Sequence, residues 1–301
     1  MGKVAFITQS YKNDYNECNL LCESIDKFAS DMDHFIFVND EDVKLFQSMN
    51  YGRHRIYGKS TILPWYMIRL PWKFLGHHFH ISPLTIPVRE WIVQQICKLG
   101  VFEVIGQEYD AVFNIDSETV LMRPFDMSEW RHGNKYFLYQ ANGANEPSHM
   151  EFINISQKLL GSNAGIADFS RYTYMSAMQC FERNNLQKLL STLKRRHIFS
   201  SWKQKLANTY RFSEYYAYGL YTSHELGMDH HFTIDYRPCP VIDIAECKDI
   251  AQFSQELTQT LSDSRIAGVC LQKKDRKRLA GKYLDFNQLE RVIRQHWDTA
   301  N

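Results

Sequence analysis

The sequence has almost no net charge and no long apolar run. There are 35 Lys and Arg residues against 34 Asp and Glu residues, a formal net charge of +1. This balance gives no reason to expect nucleic acid as a partner. No stretch of about 18 apolar residues runs without charges, so no membrane span is predicted. The apolar run at residues 4–7 is too short for an export signal. A cytoplasmic protein is expected.

The sequence also lacks any C-x-x-C pair, although it contains 7 cysteines. An odd number of cysteines without such a pair fits neither a disulfide framework nor a zinc ribbon, and a reducing compartment is the simplest setting. Cys18 and Cys22 fall on one apolar helical stripe. We therefore interpret them as small core residues rather than as metal ligands.

What the sequence has is apolar and aromatic residues, 44% and 14% respectively. Their spacing alternates between strand-like runs and helical stripes, which predicts an α/β fold with a mostly parallel, doubly wound sheet. Residues 60–88 contain several prolines and aromatics and are predicted to form an ordered, irregular loop. Strands are predicted at residues 4–8, 34–38, 111–115, 136–139, 232–236 and 268–271, and helices at 18–28, 88–99, 178–193, 213–226 and 286–297.

The most informative segment is an apolar strand that ends in two closely spaced carboxylates, Asp116 and Glu118, on either side of Ser117. The carboxyl ends of parallel strands are where such sheets bind ligands. Two adjacent carboxylates repel each other unless a cation lies between them, and Mg²⁺ or Mn²⁺ with a diphosphate is a common solution. Two solvated acidic residues at a strand end would give the same pattern, so both interpretations stay open here.

Two further segments carry polar residues of the same kind. The helix at 88–99 places Trp91, Gln94, Gln95 and Lys98 on one face and apolar residues on the other, which favours a face that looks into a cleft. Further along the chain, Ser213 can cap a helix and leave Glu214 in its first turn, where an ionised carboxylate is favoured. Such a carboxylate is suited to take a proton from a sugar hydroxyl, with Tyr215 and Tyr218 as rings for an acceptor sugar.

Taken in order, these segments resemble a bacterial family of GT-A-fold glycosyltransferases that use nucleotide sugars. The resemblance covers residues 4 to about 226 and rests on W-x-x-Q-Q-x-x-K-L, an acidic motif followed by Arg-Pro-Phe, and S-E-Y-x-x-Y-G. The matching positions are Trp91, Gln94, Gln95, Lys98, Leu99, Asp116, Glu118, Arg123, Pro124, Phe125, Ser213, Glu214, Tyr215, Tyr218 and Gly219.

The resemblance implies a GT-A fold in a single domain, 1–301. In that domain, residues 1–140 form the half that binds the nucleotide sugar, and 141–301 form the acceptor half with a C-terminal helix. The implied catalytic base is Glu214, and the implied metal ligands are Asp116, Glu118 and His231. Residues implied to contact the donor are Thr8, Ser10, Tyr11, Asp14, Trp91, Gln94, Gln95, Lys98, Asp116, Ser117 and Glu118.

The resemblance further implies a hexosyltransferase-type enzyme that depends on Mn²⁺ or Mg²⁺. The expected donor is a nucleotide sugar, with a UDP-sugar as the first candidate, and the expected acceptor is a glycan or a lipid-linked saccharide in bacterial surface polysaccharide synthesis. One departure from the motif is that Glu118 stands where the family has Asp. A base at Glu214 would suit an inverting enzyme, whereas a retaining enzyme would need none.

Three alternatives accompany this hypothesis. The basic run at residues 273–278 is either a solvated surface or a contact with an anionic membrane. The segment D-S-E-T-V at 116–120 is similar to the aspartyl-phosphate loop of haloacid-dehalogenase-type phosphatases. Finally, aromatics beside carboxylates would also serve a sugar-binding protein that has no catalytic activity.

Overall fold

The computed structural model describes residues 2–74, 76–143, 148–161, 172–195, 201–273 and 284–299. Within these residues the strands are β1 (Lys3–Gln9), β2 (Asp33–Val38), β3 (His54–Gly58), β4 (Ile68–Arg69), β5 (Phe79–Ser82), β6 (Thr85–Arg89), β7 (Tyr109–Ile115), β8 (Thr119–Leu121), β9 (Arg131–His132), β10 (Lys135–Tyr139), β11 (Ala141–Asn142), β12 (Tyr172–Thr173), β13 (Met178–Glu182), β14 (His231–Ile234), β15 (Val241–Asp243) and β16 (Gly268–Gln272).

The helices surround these strands. They are α1 (Tyr15–Phe28), α2 (Val43–Phe46), α3 (Glu90–Gly100), α4 (Met127–Trp130), α5 (His149–Leu160), α6 (Arg183–Arg195), α7 (Trp202–Ala207), α8 (Glu214–Leu220), α9 (Ile250–Leu261) and α10 (Phe286–Thr299), and α8 continues as a π-helical turn, Tyr221–Leu226.

The central sheet has the order β13-β7-β1-β2-β3. Strands β7, β1, β2 and β3 are parallel, and β13 pairs antiparallel with β7. Because both faces of the sheet are covered, β1 is apolar on both sides. Ala5 and Ile7 enter one core with α3 and α8, whereas Phe6 enters a second core with α1 and α10. A mixed, mostly parallel sheet flanked by helices was the predicted architecture, and it is confirmed.

Smaller sheets extend this frame. Strands β15, β16 and β8 form one of them, and β14, β10 and β9 form another. Strand β16 pairs antiparallel with β8, and β8 begins directly after the acidic segment that follows β7. This pairing holds the carboxyl end of β7 and the end of β16 at the same side of the molecule.

Two predictions about local structure are wrong. Residues 178–193 were predicted as one helix, but Met178–Glu182 form the edge strand β13 and the helix begins at Arg183. The apolar residues at the start of this segment fit both periods, and pairing with β7 decides for the strand. Residues 60–88 are not an irregular loop throughout, because β4, β5 and β6 form an antiparallel sheet there. No helix among the described residues combines the length and the apolar character needed to cross a membrane.

Candidate functional site

A cleft of about 1010 Å³ lies at the carboxyl end of β7. Asp116 follows the last residue of that strand and lines the cleft. Trp91 from the first turn of α3 and Tyr215 from the first turn of α8 line it as well. The fold thus brings one residue from each of the three sequence motifs to one cavity. Trp91 is 37% exposed, and its ring centroid lies 5.8 Å from that of Phe152, another lining residue.

Lys98 joins the three motifs behind the cleft wall. Its Nζ atom lies 3.0 Å from Glu214 Oε1 and 3.4 Å from Asp116 Oδ1. It also donates to the Tyr215 hydroxyl at 3.1 Å and lies 4.6 Å from the centre of that ring. Burial by itself would lower the pKa of Lys98, but the charge of Glu214, then the Tyr215 hydroxyl and Asp116, raise it well above its usual value. Lys98 therefore carries its positive charge at neutral pH.

Glu214 is buried, with 2% of its surface exposed. Its carboxylate pairs with Lys98, and its backbone N–H donates to Gln95 Oε1 at 3.4 Å. Gln95 is itself buried, so it joins α3 to the start of α8 rather than facing the cleft. Ser213 occupies the N-cap position of α8 as predicted, but its hydroxyl makes no capping hydrogen bond. Glu214 is not among the residues that line the cleft.

The acidic pair is divided between two environments. Asp116 faces the cleft, whereas Glu118 is half-buried and its carboxylate accepts a hydrogen bond from the Ser117 hydroxyl at 3.2 Å. Burial, followed by the negative charges of Asp116 and Asp14, raises the pKa of Glu118 to about 7. A cation at this place would relieve that repulsion, so the residues present fit a divalent ion held by Asp116 and Glu118.

The end of β1 and the loop after it lie beside this acidic pair, and the residues predicted there to contact the donor are absent from the cleft lining. Asp14 is buried at the start of α1 and acts on Glu118 through its charge. Thr8 is buried, and its hydroxyl donates to the Ile115 carbonyl at 3.0 Å. Ser10 is buried too, its backbone N–H donates to the Phe37 carbonyl, and Tyr11 is half-buried. Gln94 is also half-buried and absent from the lining.

Tyr218 and His231 lie away from the predicted places. Tyr218 is buried, its hydroxyl accepts the Glu182 N–H at 2.9 Å, and its ring packs on Phe181, so it does not face an acceptor. His231 begins β14 and pairs with Tyr136, whereas Arg237, beyond the other end of that strand, lines the cleft. Among the described residues, Asp116, Glu118 and His231 do not gather as a metal-binding group. The structure therefore does not support the prediction that His231 is a third metal ligand. Burial, followed by the proximity of His230 and Lys135, lowers the pKa of His231 to about 4.

Several cleft residues were missed from the sequence. Arg89, Arg211 and Arg237 come from the end of β6, the segment before α8 and the segment after β14, and all three line the cavity. Arg211 pairs with Glu151 at 2.7 Å. No local motif marks these arginines, because only the fold brings them together.

Of the basic run at residues 273–278, Lys273 forms an ion pair with Glu17, and residues 274–278 lie outside the described residues.

The fold and the cleft define an α/β protein with a charged ligand site at the carboxyl ends of its parallel strands. The chain belongs to a family described as "Family of unknown function (DUF6492)", whose model matches residues 4–257. No curated protein matches the sequence.

Solved structures of glycosyltransferases are similar at low identity. The apo form of GlyE from Streptococcus pneumoniae TIGR4 has a TM-score of 0.42 at 11% identity and is matched over 100% of this chain and 62% of its own. The bifunctional glycosyltransferase WbbM has a TM-score of 0.48 at 12% identity, with 97% of this chain and 50% of its own covered. The galactosyltransferase LgtC, in complex with donor and acceptor sugar analogues, has a TM-score of 0.45 at 11% identity. The match covers 98% of this chain and 95% of LgtC. This chain thus spans less than two thirds of GlyE and of WbbM.

Proposed function

We propose that this protein is a GT-A-type glycosyltransferase that moves a sugar from a nucleotide-sugar donor to a glycan or lipid-linked acceptor. The observation that carries the proposal is the convergence of Lys98 and Glu214, behind the cleft wall, with Asp116, which lines the cleft. These residues come from three distant segments, and their meeting at the carboxyl end of a parallel strand is the arrangement expected of a ligand site.

The cleft offers what a charged sugar donor needs. Arg89, Arg211 and Arg237 bring positive charge to its wall, and a guanidinium matches the oxygens of a diphosphate. Trp91 and Tyr215 present aromatic surface in the same cavity, against which the apolar face of a sugar can pack. A volume of about 1010 Å³ is at the upper end of the range of small-molecule sites, roughly 300–1,000 Å³.

Asp116 and Glu118 are the proposed ligands of Mn²⁺ or Mg²⁺, supported by the raised pKa of Glu118, which is caused by burial and then by the negative charges of Asp116 and Asp14. The ion would neutralise charge on the diphosphate as the sugar–phosphate bond breaks. Ser117 orients Glu118 by donating to its carboxylate. We keep a UDP-sugar as the first candidate donor and bacterial surface polysaccharide synthesis as the setting.

Glu214 as the base stays a prediction, and its burial against Lys98 supports another role. We propose that Glu214 positions Lys98 and keeps it charged next to Asp116. If so, Glu214→Gln lowers the pKa of Lys98, and activity is lost mainly at high pH. If Glu214 were instead the catalytic base, Glu214→Gln would lower kcat at every pH, by about 10²–10⁴-fold. The pH profile of kcat distinguishes the two roles.

A lipid-linked acceptor would require contact with a membrane, and the described residues offer one apolar surface for it. Large side chains on and around the β4–β6 sheet are exposed: Trp65, Ile68, Trp72, Phe74, Ile81, Leu84 and Ile86. Tryptophan and lysine, here Trp72 and Lys73, are typical of the membrane interface. We expect Trp72→Ala with Phe74→Ala to reduce sedimentation with anionic vesicles. Absence of vesicle binding by the unchanged protein would contradict this contact.

The proposed activity is tested by incubating the full chain with UDP-, GDP- and CMP-sugars, Mn²⁺ and glycan acceptors, and measuring the nucleotide released. We expect one donor class to be consumed and Asp116→Asn to slow the reaction by about 10²–10³-fold, as for loss of a group that stabilises developing charge. Asp110→Asn is the matched control, because Asp110 lies on the same strand and binds the Gly2 N–H instead.

Two results would contradict the proposal. Hydrolysis of simple phosphate esters without turnover of any nucleotide sugar would favour the phosphatase. Metal-dependent sugar binding without any turnover would favour a sugar-binding protein.

A further inference from the structure

A second cluster of ligand-type side chains lies away from the cleft, between α1 and the central sheet. It consists of Cys22, His34 and His54, all fully buried. Cys22 comes from α1, His34 from β2, and His54 from β3, where it pairs directly with His34. The candidate ligand atoms of these residues all lie within 4.8 Å of one another. None of the three residues lines the cleft.

The hydrogen-bond partners fix the protons on both histidines. The Thr8 hydroxyl has one hydrogen and donates it to the Ile115 carbonyl at 3.0 Å. The contact of 2.9 Å between Thr8 Oγ1 and His34 Nε2 is therefore a hydrogen bond only if His34 Nε2 donates. His54 Nε2 lies 3.1 Å from a carboxylate oxygen of Asp26, which can only accept when ionised. Each neutral ring thus carries its proton on Nε2.

The two Nδ1 atoms then face each other with lone pairs at 3.0 Å. Two lone pairs at that distance repel unless a cation lies between them. An extra proton would place an imidazolium among fully buried rings, which is costly. Cys22 Sγ lies 4.0 Å from His34 Nδ1 and is a third electron-pair donor for a cation between the two rings.

We propose that Cys22, His34 and His54 form a binding site for Zn²⁺ that is separate from the cleft, contrary to the interpretation of Cys22 from the sequence as a core residue only. Tetrahedral zinc, with bonds of about 2.05 Å to nitrogen and about 2.3 Å to sulfur, requires nitrogen atoms about 3.3 Å apart and sulfur about 3.6 Å from nitrogen. The distances of 3.0 and 4.0 Å lie near these values. Asp26 and Thr8 hold the second nitrogen of each ring, as outer partners of metal-bound histidines commonly do. On binding, the Cys22 thiol releases its proton to solvent.

A zinc ion at this site would link α1 to strands β2 and β3. His34 is also linked through Thr8 to Ile115, the residue before Asp116. Zinc would therefore stabilise the strand ends next to the cleft without taking part in the reaction.

The experiment measures metal content and stability on the full chain, purified without chelators. We expect about one equivalent of zinc by elemental analysis, and a charge-transfer band from thiolate to cobalt after exchange with Co²⁺. Cys22→Ser and His54→Gln should both lose the metal. Cys97→Ser is the matched control, because Cys97 is equally buried but lies on α3, outside the cluster.

Restoring Zn²⁺ to the stripped protein should raise Tm, with circular dichroism as the check that each variant is folded. Two results would overturn the proposal. One is a folded, metal-free wild type whose Tm neither Zn²⁺ nor Co²⁺ changes. The other is zinc that persists in the Cys22→Ser variant. Neither result depends on whether the cleft transfers a sugar.

Discussion

Lys98 is the residue that links the sequence motifs of this protein to one another. Its ammonium lies between Asp116 in the cleft and Glu214 behind it. Removing one partner from a buried ion pair leaves the other charge uncompensated. We therefore expect that activity requires Lys98, Asp116 and Glu214 together.

Gly219, the last residue of the S-E-Y-x-x-Y-G motif, is explained by packing. A Cβ atom placed on it would lie 2.2 Å from Cδ1 of Tyr174, whose ring is fully buried. We expect Gly219→Ala to destabilise the protein by about 1–3 kcal/mol, the usual cost of overpacking. Chemical denaturation measures it.

The control for Gly219 is a double variant with Tyr174→Leu, which makes room beside the new methyl group. If the penalty is unchanged in that background, close contact with Tyr174 is not its cause.

Glu118 gives a prediction for pH. Burial and the charges of Asp116 and Asp14 raise its pKa to about 7 in the folded protein, whereas the unfolded chain ionises near its ordinary value. The folded state then holds more protons, so this group costs stability as pH rises from about 4.5 to 7, and the cost persists above that range. We expect Glu118→Gln to raise Tm at pH 8, by about 2–4 °C for each kcal/mol recovered, and to leave it unchanged at pH 4.

Added Mn²⁺ should reverse the order of the two proteins at pH 8, because it stabilises only the chain with both carboxylates. Equal Tm values for wild type and variant at every pH would contradict the raised pKa.

At the scale of elements, a network of ion pairs joins α3 to its surroundings. Lys59, buried after β3, binds Glu90 Oε1 and Asn39 Oδ1, both at 2.8 Å. Glu90 begins α3, lines the cleft and also pairs with Arg69 of β4. Burial would raise the pKa of Glu90, but Lys59, His80 and Arg69 outweigh it and lower that pKa. The network thus sets the start of the helix that carries Trp91 and Lys98.

Lys59→Ala should lower the free energy of unfolding by about 1–3 kcal/mol, because Glu90 loses its buried partner but keeps Arg69. Lys44→Ala is the control: Lys44 is exposed, and such changes usually stay within about 0.5 kcal/mol. Similar losses in the two variants, measured by urea denaturation, would show that the Lys59 contact contributes nothing special.

The sequence was sufficient for elements whose pattern is set locally. Strand β7 and the acidic residues after it follow from one apolar run, and α1 and α10 follow from helical stripes. Residues 178–182 could not be assigned locally, because pairing with β7 overrides an ambiguous period. The same limit applies to the site. The motifs predicted which segments meet, but the burial of Glu214, the place of His231 and the three arginines depend on tertiary contacts.

At the scale of the whole molecule, one sheet with a core on each face supports two separate clusters of ligand-type residues. The core that contains Phe37, Ile96 and Tyr216 lies under the helices that carry the cleft residues. The Cys22 cluster adjoins a small core formed with Ile36, Val38 and Phe46. We expect a ligand of the cleft and zinc each to raise stability, because the residues of the two sites do not overlap.

The central claim is that the cleft binds a nucleotide sugar through Asp116 together with a divalent ion. Isothermal titration of the full chain with UDP-, GDP- and CMP-sugars, with and without Mn²⁺, tests it most directly. The account predicts saturable binding of one nucleotide class, dependent on Mn²⁺, weakened at least about tenfold by Asp116→Asn, which corresponds to about 1.4 kcal/mol, and unaffected by Asp110→Asn. Binding of no nucleotide sugar, or equal binding by the Asp116→Asn variant, would contradict it.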